Sequence, residues 1–500
     1  MPIFFAKFLS PNRYTNWQSM VMASLCVLTC IIIASDFSIG SGILFLLLIA
    51  TIGFVAITYL VPELPFIVLY MGMPIWVLIG RFAPIGDGQS TLLTTGWAFL
   101  CVIAHRFLFP KDSREKFKLD ACDVVLGVFT AWIWLSLIWS PNNTYGYDKA
   151  LGFTILTTAI YVFARFGLDT PRFSPKRLVY LVIVAGLGHA CIVASAAFLW
   201  GLDSNARKNY FLKTVWDIGS VGGADALSFG LLATTALFML TRQRYLKLLY
   251  ALAFLFQLWA FSTYEQRGAT IGLFVGILFI YFALSRTTQS SISGKSNVVP
   301  IVLGICLLPV LAYLLYWLNP QFRGEYLASD YSYLSRFMFL RIGISVFWQS
   351  PIIGTGIGGM GTAWRAGFDE FYVHNRYLEI IAELGIFGLI LIIIFTVFLY
   401  RRLQIGLAKV ESPSLRLGMV TAGAVLLQRY ILGLSGGDLT GWRIGLWAAL
   451  AVTIYTKFLE NESESITDSS ILRQKSLVPT LEQSTLENSE KGGQNFLGHL

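Results

Sequence analysis

Residues 334–391 read LSRFMFLRIGISVFWQSPIIGTGIGGMGTAWRAGFDEFYVHNRYLEIIAELGIFGLIL and join three kinds of sequence. An arginine-bearing segment comes first, with apolar residues at near-helical spacing that predict an amphipathic helix on the membrane surface from about Tyr333 to Gln349. Pro351 and the glycines after it then break this helix. The stretch ends with a His374-Asn375 pair at the start of a long apolar run, so a polar segment enters a membrane span here.

The composition of the whole chain is that of an integral membrane protein. Of its 500 residues, 56% are hydrophobic and only 13% are charged, which excludes a set of soluble domains. The formal net charge is +9, yet the Lys and Arg residues occur in short clusters between apolar runs rather than along one basic stripe. Such clusters set the topology of membrane proteins, so membrane lipids are predicted partners and nucleic acid is not.

Apolar runs of about 20 residues predict an all-α polytopic integral membrane protein with about 14 transmembrane helices and one long extracytoplasmic loop. The runs centre near residues 26, 50, 72, 99, 130, 157, 189, 229, 254, 276, 308, 389, 425 and 450. Helices 1 to 11 are predicted in residues 1–318, the extracytoplasmic loop in 319–373 and helices 12 to 14 in 374–459. Residues 460–500 are acidic and rich in Ser and Asn, and they are predicted to form a disordered cytoplasmic tail.

Clusters of Lys and Arg in alternate loops indicate the orientation. Cytoplasmic loops are enriched in these residues, and the enriched loops are Arg106–Lys118, Arg165–Arg177, Arg242–Lys247, Arg286–Lys295 and Arg401–Arg416. Both termini are therefore predicted inside the cell, and the 319–373 loop is predicted outside.

Only one of the four histidines, His374, is predicted on the outer side. Imidazole exchanges a proton near neutral pH, so His374 is a candidate general base for a hydroxyl group. The alternative is an interfacial histidine that caps the helix together with Asn375. His189 lies inside an apolar run, where a lone histidine is more often a hydrogen-bonded packing residue. His105 and His499 are predicted on the cytoplasmic side.

Several of these features follow one another in a fixed order. Arg336 lies fifteen residues before Pro351, and Gly354-x-Gly356, His374-Asn375 and Gly385-x-x-Gly388 come next. This order resembles the signature of the O-antigen ligase and polymerase superfamily, bacterial membrane glycosyltransferases that take a glycan from an undecaprenyl pyrophosphate carrier. The resemblance covers roughly residues 260–400.

Arg267, in the sequence TYEQRGAT, resembles the first functional arginine of the superfamily. Two positions depart from the usual pattern. Gln266 stands where Ser is more usual, and Leu340 stands where Trp is frequent.

The resemblance implies a metal-independent, inverting glycosyl transfer that uses no cofactor. Its catalytic residues here are His374, which takes or orients the acceptor proton, and Arg267 and Arg336, which hold the departing pyrophosphate. Arginine suits that task because its planar fork meets phosphate oxygens bidentately. The residues predicted to bind substrate are Arg341, Asn375, Arg429, Gly354 and Gly356.

Motifs for other kinds of donor are absent from the sequence. The outward loops hold no DxD-like metal motif, and the chain has no P-loop and no dinucleotide fingerprint. A nucleotide-sugar donor or ATP is therefore not expected. The resemblance implies that the partners are a glycan donor linked to undecaprenyl pyrophosphate and an acceptor such as the lipid A core or a growing polysaccharide. The sequence leaves the acceptor open.

Charged residues inside apolar runs have two interpretations each. Arg429 and Asp225 form a structural pair, or Arg429 binds substrate, because charges at such depth are costly and mark pairs or pathways. Glu379 and Glu383 lie four residues apart on one helix face, where they orient Arg376 or His374 or serve helix packing.

The alternative function is a membrane transporter or a flippase for lipid-linked glycans or small solutes, including inorganic carbon. Transporters show broken helices in matching halves with charges near the midplane, whereas the polar residues here concentrate in one outward loop. The favoured interpretation is an O-antigen ligase-like or polymerase-like enzyme of the bacterial cytoplasmic membrane, with its active site facing the periplasm or the exterior.

The charge pattern predicts that residues 319–373 lie outside and the tail after Glu460 lies inside. Single cysteines at Asp330 and Ser489, introduced in a background without the native cysteines, are therefore expected to react with an impermeant maleimide from opposite sides of the membrane. Labelling of both cysteines from the same side contradicts the topology.

Overall fold

The computed structural model describes residues 61–66, 119–169, 173–200, 220–264, 266–288, 330–365, 371, 373–436 and 439–459. Regular structure in these ranges is helical. The α-helices are α1 (Ala121–Leu135), α2 (Asn143–Phe153), α3 (Ile160–Leu168), α4 (Pro175–Trp200), α5 (Ser220–Leu240), α6 (Arg244–Ser262), α7 (Arg267–Thr288), α8 (Asp330–Gln349), α9 (Met360–Trp364), α10 (Arg376–Lys409), α11 (Pro413–Ser435) and α12 (Gly445–Leu459). A π-helical turn, Thr154–Ala159, joins α2 to α3 in one continuous rod.

Eight of these rods are long and apolar enough to cross a membrane. They coincide with the predicted spans centred near residues 130, 157, 189, 229, 254, 276, 389 and 425, which confirms a polytopic all-α membrane protein. The span predicted near residue 450 corresponds to α12, an apolar helix that is shorter. The spans predicted near residues 26, 50, 72, 99 and 308 and the tail lie outside the described residues.

Glycines allow the inner helices of the bundle to approach closely. On α7, Gly272 lies against the backbone of Gln428 on α11, and Gly276 lies against the carbonyl of Ala424. Small residues at such contacts are typical of membrane helices, whose association depends on close backbone packing. Because 272 faces 428 and 276 faces 424, the two helices are antiparallel, and the start of α7 lies beside the end of α11.

The longest helix, α10, is interrupted at Gly385. This residue has φ 68° and ψ −170°, a conformation that only glycine adopts readily. An interruption inside a membrane frees backbone groups that water does not reach, so the protein itself must bind them. The carbonyls of Ala382, Glu383 and Leu384 and the N–H groups of Ile386 and Phe387 are the groups concerned.

The turn that follows α8, residues 350–359, supplies most of the partners. Thr355 N donates to Ala382 O at 3.0 Å, and Gly356 N donates to Glu383 O at 2.9 Å. In the opposite direction, Ile386 N donates to Pro351 O at 2.9 Å. Phe387 N donates to Ile352 O at 3.3 Å. We call these four contacts the turn–helix bonds.

The remaining carbonyl of the interruption is bound by α1. Trp132 Nε1 donates to Leu384 O at 3.1 Å. The other side of the turn is fixed by two serines, since Ile357 N donates to Ser136 Oγ at 3.1 Å and Ser140 Oγ donates to Ile357 O at 2.8 Å. The interrupted helix, the turn and the α1–α2 connection therefore form one hydrogen-bonded unit.

The opposite end of α10 is held by a different kind of contact. Arg402 Nε lies 2.9 Å from Asp120 Oδ2 at the start of α1, and Arg165 Nε lies 3.1 Å from Asp123 Oδ1. Because α1 contacts Leu384 near its end and Arg402 at its start, it runs antiparallel to α10. His374 and Arg402 are roughly 40 Å apart along the helix, from its rise per residue.

The helix predicted at Tyr333–Gln349 is observed as α8, which begins three residues earlier, but apolar residues lie on both its buried and its exposed sides. Its buried residues Ile342 and Val346 pack toward α10, whereas Leu340, Ile344 and Trp348 are exposed. An exposed apolar stripe suits a helix that rests on lipid, and its location at the membrane surface stays a prediction.

The interruption of α10 predicts an effect of substitution at Gly385. A β-carbon there overlaps the carbonyl oxygen of Ile352, and the glycine-only backbone conformation alone costs of order 1–3 kcal/mol for another residue. Gly385→Ala is therefore expected to lower the melting temperature in detergent by several degrees. The matched control is Gly188→Ala on α4, where a β-carbon meets nothing within 4 Å; equal melting of the two variants contradicts this role of Gly385.

Candidate functional site

The His374-Asn375 pair forms the start of α10. Asn375 is the N-cap: its Oδ1 accepts a hydrogen bond from Leu378 N at 3.0 Å, which satisfies one of the free N–H groups of the first turn. The side-chain nitrogen of Asn375, Nδ2, donates to Leu434 O on α11 at 3.1 Å. Asn375 thus fixes the first turn of α10 to the end of α11.

His374 itself has a strained backbone, with φ 51°. A residue with a β-carbon in this left-handed region costs roughly 1–2 kcal/mol, and such strain concentrates at functional sites. The half-buried His374 ring lies against Phe339 of α8, with ring centroids 5.6 Å apart. A small apolar cluster of Ile342, Val346, Met360, Val373 and Ala382 holds α8, α9 and the start of α10 together around this contact.

The two predicted catalytic arginines lie on helices at the end of the bundle where α10 begins. Arg336 is in α8, one turn before Phe339. Arg267 is the first residue of α7, and the start of α7 lies beside the end of α11, to which Asn375 is bonded. The chain therefore brings these three predicted catalytic positions to one end of the helix bundle.

Tyr264 lies in the connection from α6 to α7, three residues before Arg267. It is 5% exposed, and its ring contacts Gly223 of α5. Burial raises the pKa of the Tyr264 phenol well above its usual range, so the phenol stays protonated at neutral pH.

The predicted substrate-binding residues on α8 and in the turn differ in their surroundings. Arg341 is exposed on α8. Gly354 and Gly356 are buried with φ 74° and 87°, and their N–H groups donate to Ser350 O and Glu383 O, both at 2.9 Å. The N–H of Gly354 therefore closes the turn itself, and the N–H of Gly356 holds the turn against α10.

Arg429 pairs with Asp225. It lies on α11, almost fully buried, with Nη1 bonded to the carboxylate of Asp225 on α5. Its Nε donates to Trp442 O at 3.0 Å, and its Nη2 donates to Gly441 O. All three guanidinium nitrogens thus have protein partners, so the geometry favours the structural one of the two interpretations.

His189 is also buried, at 5% exposure, and its Nδ1 lies 3.1 Å from Ala185 O one turn earlier on α4. This is the arrangement that the packing interpretation predicts. Among the described residues, no group of three or more His, Cys, Asp or Glu side chains is close enough together to hold a metal ion.

One charged residue near the site was missed by the sequence analysis. Lys149 on α2 donates from Nζ to Glu383 Oε1 and Oε2 at 2.8 and 2.7 Å and to Glu379 Oε1. The three side chains are 1–2% exposed. A lone lysine within the apolar run 143–168 was the available signal, since a charge at that depth requires a partner.

Comparison with known families identifies part of this architecture. Residues 229–393 match the family described as O-antigen ligase, and no curated protein matches the chain. The matched segment is about a third of the sequence and includes Arg267, Arg336, the glycine-rich turn, His374 and the interruption of α10. This match confirms the resemblance to the superfamily and supports an O-antigen ligase-like function in polysaccharide biosynthesis.

Proposed function

We propose that this protein moves a glycan from an undecaprenyl pyrophosphate carrier to an acceptor hydroxyl, as an O-antigen ligase or polymerase does. The observation that carries the proposal is the strained His374 at the start of α10, packed against Phe339 of the helix that contains Arg336. This contact lies within the segment that matches the O-antigen ligase family.

In the proposed reaction the acceptor hydroxyl attacks the anomeric carbon of the first sugar. The bond from that carbon to the pyrophosphate oxygen breaks, and its electron pair leaves with the pyrophosphate. His374 takes the hydroxyl proton as the general base. Attack opposite to the leaving group inverts the configuration at the anomeric carbon.

Arg267 and Arg336 stabilise the charge that develops on the pyrophosphate. A guanidinium group binds phosphate oxygens bidentately and keeps its charge at every physiological pH. Two such groups, fixed before the reaction, supply this stabilisation without a metal ion. Arg341, exposed five residues after Arg336, is a further candidate for contact with the donor or the lipid head groups.

The site is proposed to face the periplasm or the exterior of the bacterial cytoplasmic membrane, where carrier-linked glycans are used. The acceptor is then the lipid A core for a ligase or a growing polysaccharide for a polymerase. In a deletion strain, a ligase predicts accumulation of carrier-linked chains, whereas a polymerase predicts a single repeat still attached to its acceptor.

A transporter or flippase is the second candidate, and the interrupted α10 is the observation that favours it. In transporters the freed ends of broken helices face the substrate. Here the freed groups between Ala382 and Phe387 are bonded to the glycine-rich turn and to Trp132. Protein partners at these positions support a fixed scaffold, and hence the enzyme.

The proposal predicts that His374→Asn strongly reduces transfer. Asparagine tolerates a positive φ better than alanine does, so this variant removes the imidazole while the strained turn is retained. In membranes supplied with purified lipid-linked donor and acceptor, transfer is expected to fall about 10²-fold or more, the usual contribution of a general base. Donor binding is expected to persist, because it is assigned to the arginines.

The matched control is His189→Asn, which removes the buried histidine of α4 and is expected to change the amount of folded protein more than its turnover. Arg267→Lys and Arg336→Lys keep the charge but lose the fork, and each is expected to weaken donor binding and transfer. Transfer at the wild-type rate by His374→Asn contradicts the catalytic role and favours the transporter.

A further inference from the structure

Three buried charged side chains meet between α2 and α10, and the proposed reaction uses none of them. Lys149 lies between Glu379 and Glu383, with its Nζ 2.8 and 2.7 Å from the two carboxylate oxygens of Glu383. The ring of Tyr145 lies 5.4 Å from the same Nζ. We call Lys149, Glu379 and Glu383 the Lys149 cluster.

The cluster contacts a short, separate piece of helix. Residues 376–384 form only about two and a half turns between the strained His374 and the non-helical Gly385. A helix of that length is not stable alone, so its position depends on its contacts. Glu379 and Glu383 lie one turn apart on one face of this piece, and both are bound by Lys149.

Glu383 connects the cluster to the glycine-rich turn. Its carboxylate is bound by Lys149, and its backbone carbonyl accepts a hydrogen bond from Gly356 N at 2.9 Å. The same residue is therefore fixed from α2 through its side chain and from the turn through its backbone. The segment 376–384 is clamped on two sides, and His374 stands at its outer end.

The energetics indicate that the charges serve more than packing. Burial of three charges costs several kcal/mol per ion, and an apolar contact of the same volume often stabilises a protein equally well. Ion pairs are directional, so they fix a single geometry between two helices, which an apolar contact does not do.

We propose that Lys149 is a positioning residue for the transfer reaction. Its ion pairs fix the position of segment 376–384 along α2 and the rotation of that segment about its own axis. His374 therefore remains beside Phe339 and the helix that contains Arg336. This role rests on the proposed function, whereas its geometric part, the fixed distance from His374 to Phe339, is independent of that function.

The test uses a neutral variant, Lys149→Met with Glu383→Gln. Glu379→Gln is added to these two changes, so that all three members of the Lys149 cluster become neutral, no uncompensated charge of the cluster stays buried, and the protein is expected to insert and fold. Turnover per folded molecule is expected to fall tenfold or more, with the KM for lipid-linked donor within twofold of wild type. The control is Arg165→Met with Asp123→Asn, which is expected to keep wild-type turnover. This buried pair lies at the start of α1, at the end of the bundle away from His374.

A second measurement does not depend on catalysis. Cysteines at Phe339 and His374, in a background without the native cysteines, are expected to be bridged by a short bifunctional maleimide, because the two rings that they replace lie with centroids 5.6 Å apart. The neutral variant Lys149→Met/Glu379→Gln/Glu383→Gln is expected to slow this reaction about tenfold, and the Arg165→Met/Asp123→Asn control is expected to leave its rate unchanged. If crosslinking slows in the neutral variant and the wild-type protein shows no transferase activity, the positioning role is supported and only the proposed function is contradicted.

Wild-type turnover together with wild-type crosslinking in the neutral variant overturns the proposal. If that variant does not accumulate, crosslinking is measured in Glu379→Gln, which retains the Lys149–Glu383 pair and loses one of the two carboxylates. A rate reduced severalfold there supports the proposal, and an unchanged rate overturns it.

Discussion

The turn–helix bonds are the constraint on which the arrangement of the site depends. A membrane offers no water to an interrupted helix, so the freed groups of α10 must be bound by the protein. The glycine-rich turn does this with its own backbone, from Thr355 and Gly356 on one side of the interruption to Pro351 and Ile352 on the other. Because the turn follows α8 directly, these bonds also place α8 next to the start of α10, and this neighbourhood brings Phe339 to His374.

Ion pairs at three places along the bundle join helices to one another. At the far end of α10, Arg402 and Arg165 bind the acidic start of α1. Near the end of α11, Arg429 binds Asp225 of α5 and the carbonyls of residues 441 and 442. Near the interruption, Lys149 holds the outer segment of α10. Each pair links helices that are distant in sequence, which suits a bundle whose apolar surfaces alone do not fix rotation in lipid.

The sequence predicted the helical class, eight of the spans and the helix before Pro351 because each rests on local composition and periodicity. It left two interpretations of Arg429 open, a structural pair with Asp225 or a contact with substrate, and the structure favours the pair. It did not find the interruption at Gly385 or the role of Lys149. The glycine pattern does not reveal which backbone groups it binds, and Lys149 is 230 residues from Glu379, so only the fold brings them together.

The central claim is that Arg267, Arg336 and His374 act on one bound donor at the outer end of this bundle. The most direct test is a structure of the protein in lipid with an undecaprenyl pyrophosphate-linked glycan bound. The account predicts pyrophosphate oxygens within about 3 Å of the guanidinium nitrogens of Arg267 and Arg336, with the anomeric carbon of the first sugar facing His374. A donor bound with its pyrophosphate away from both arginines, or with His374 separated from the sugar by the body of the protein, contradicts it.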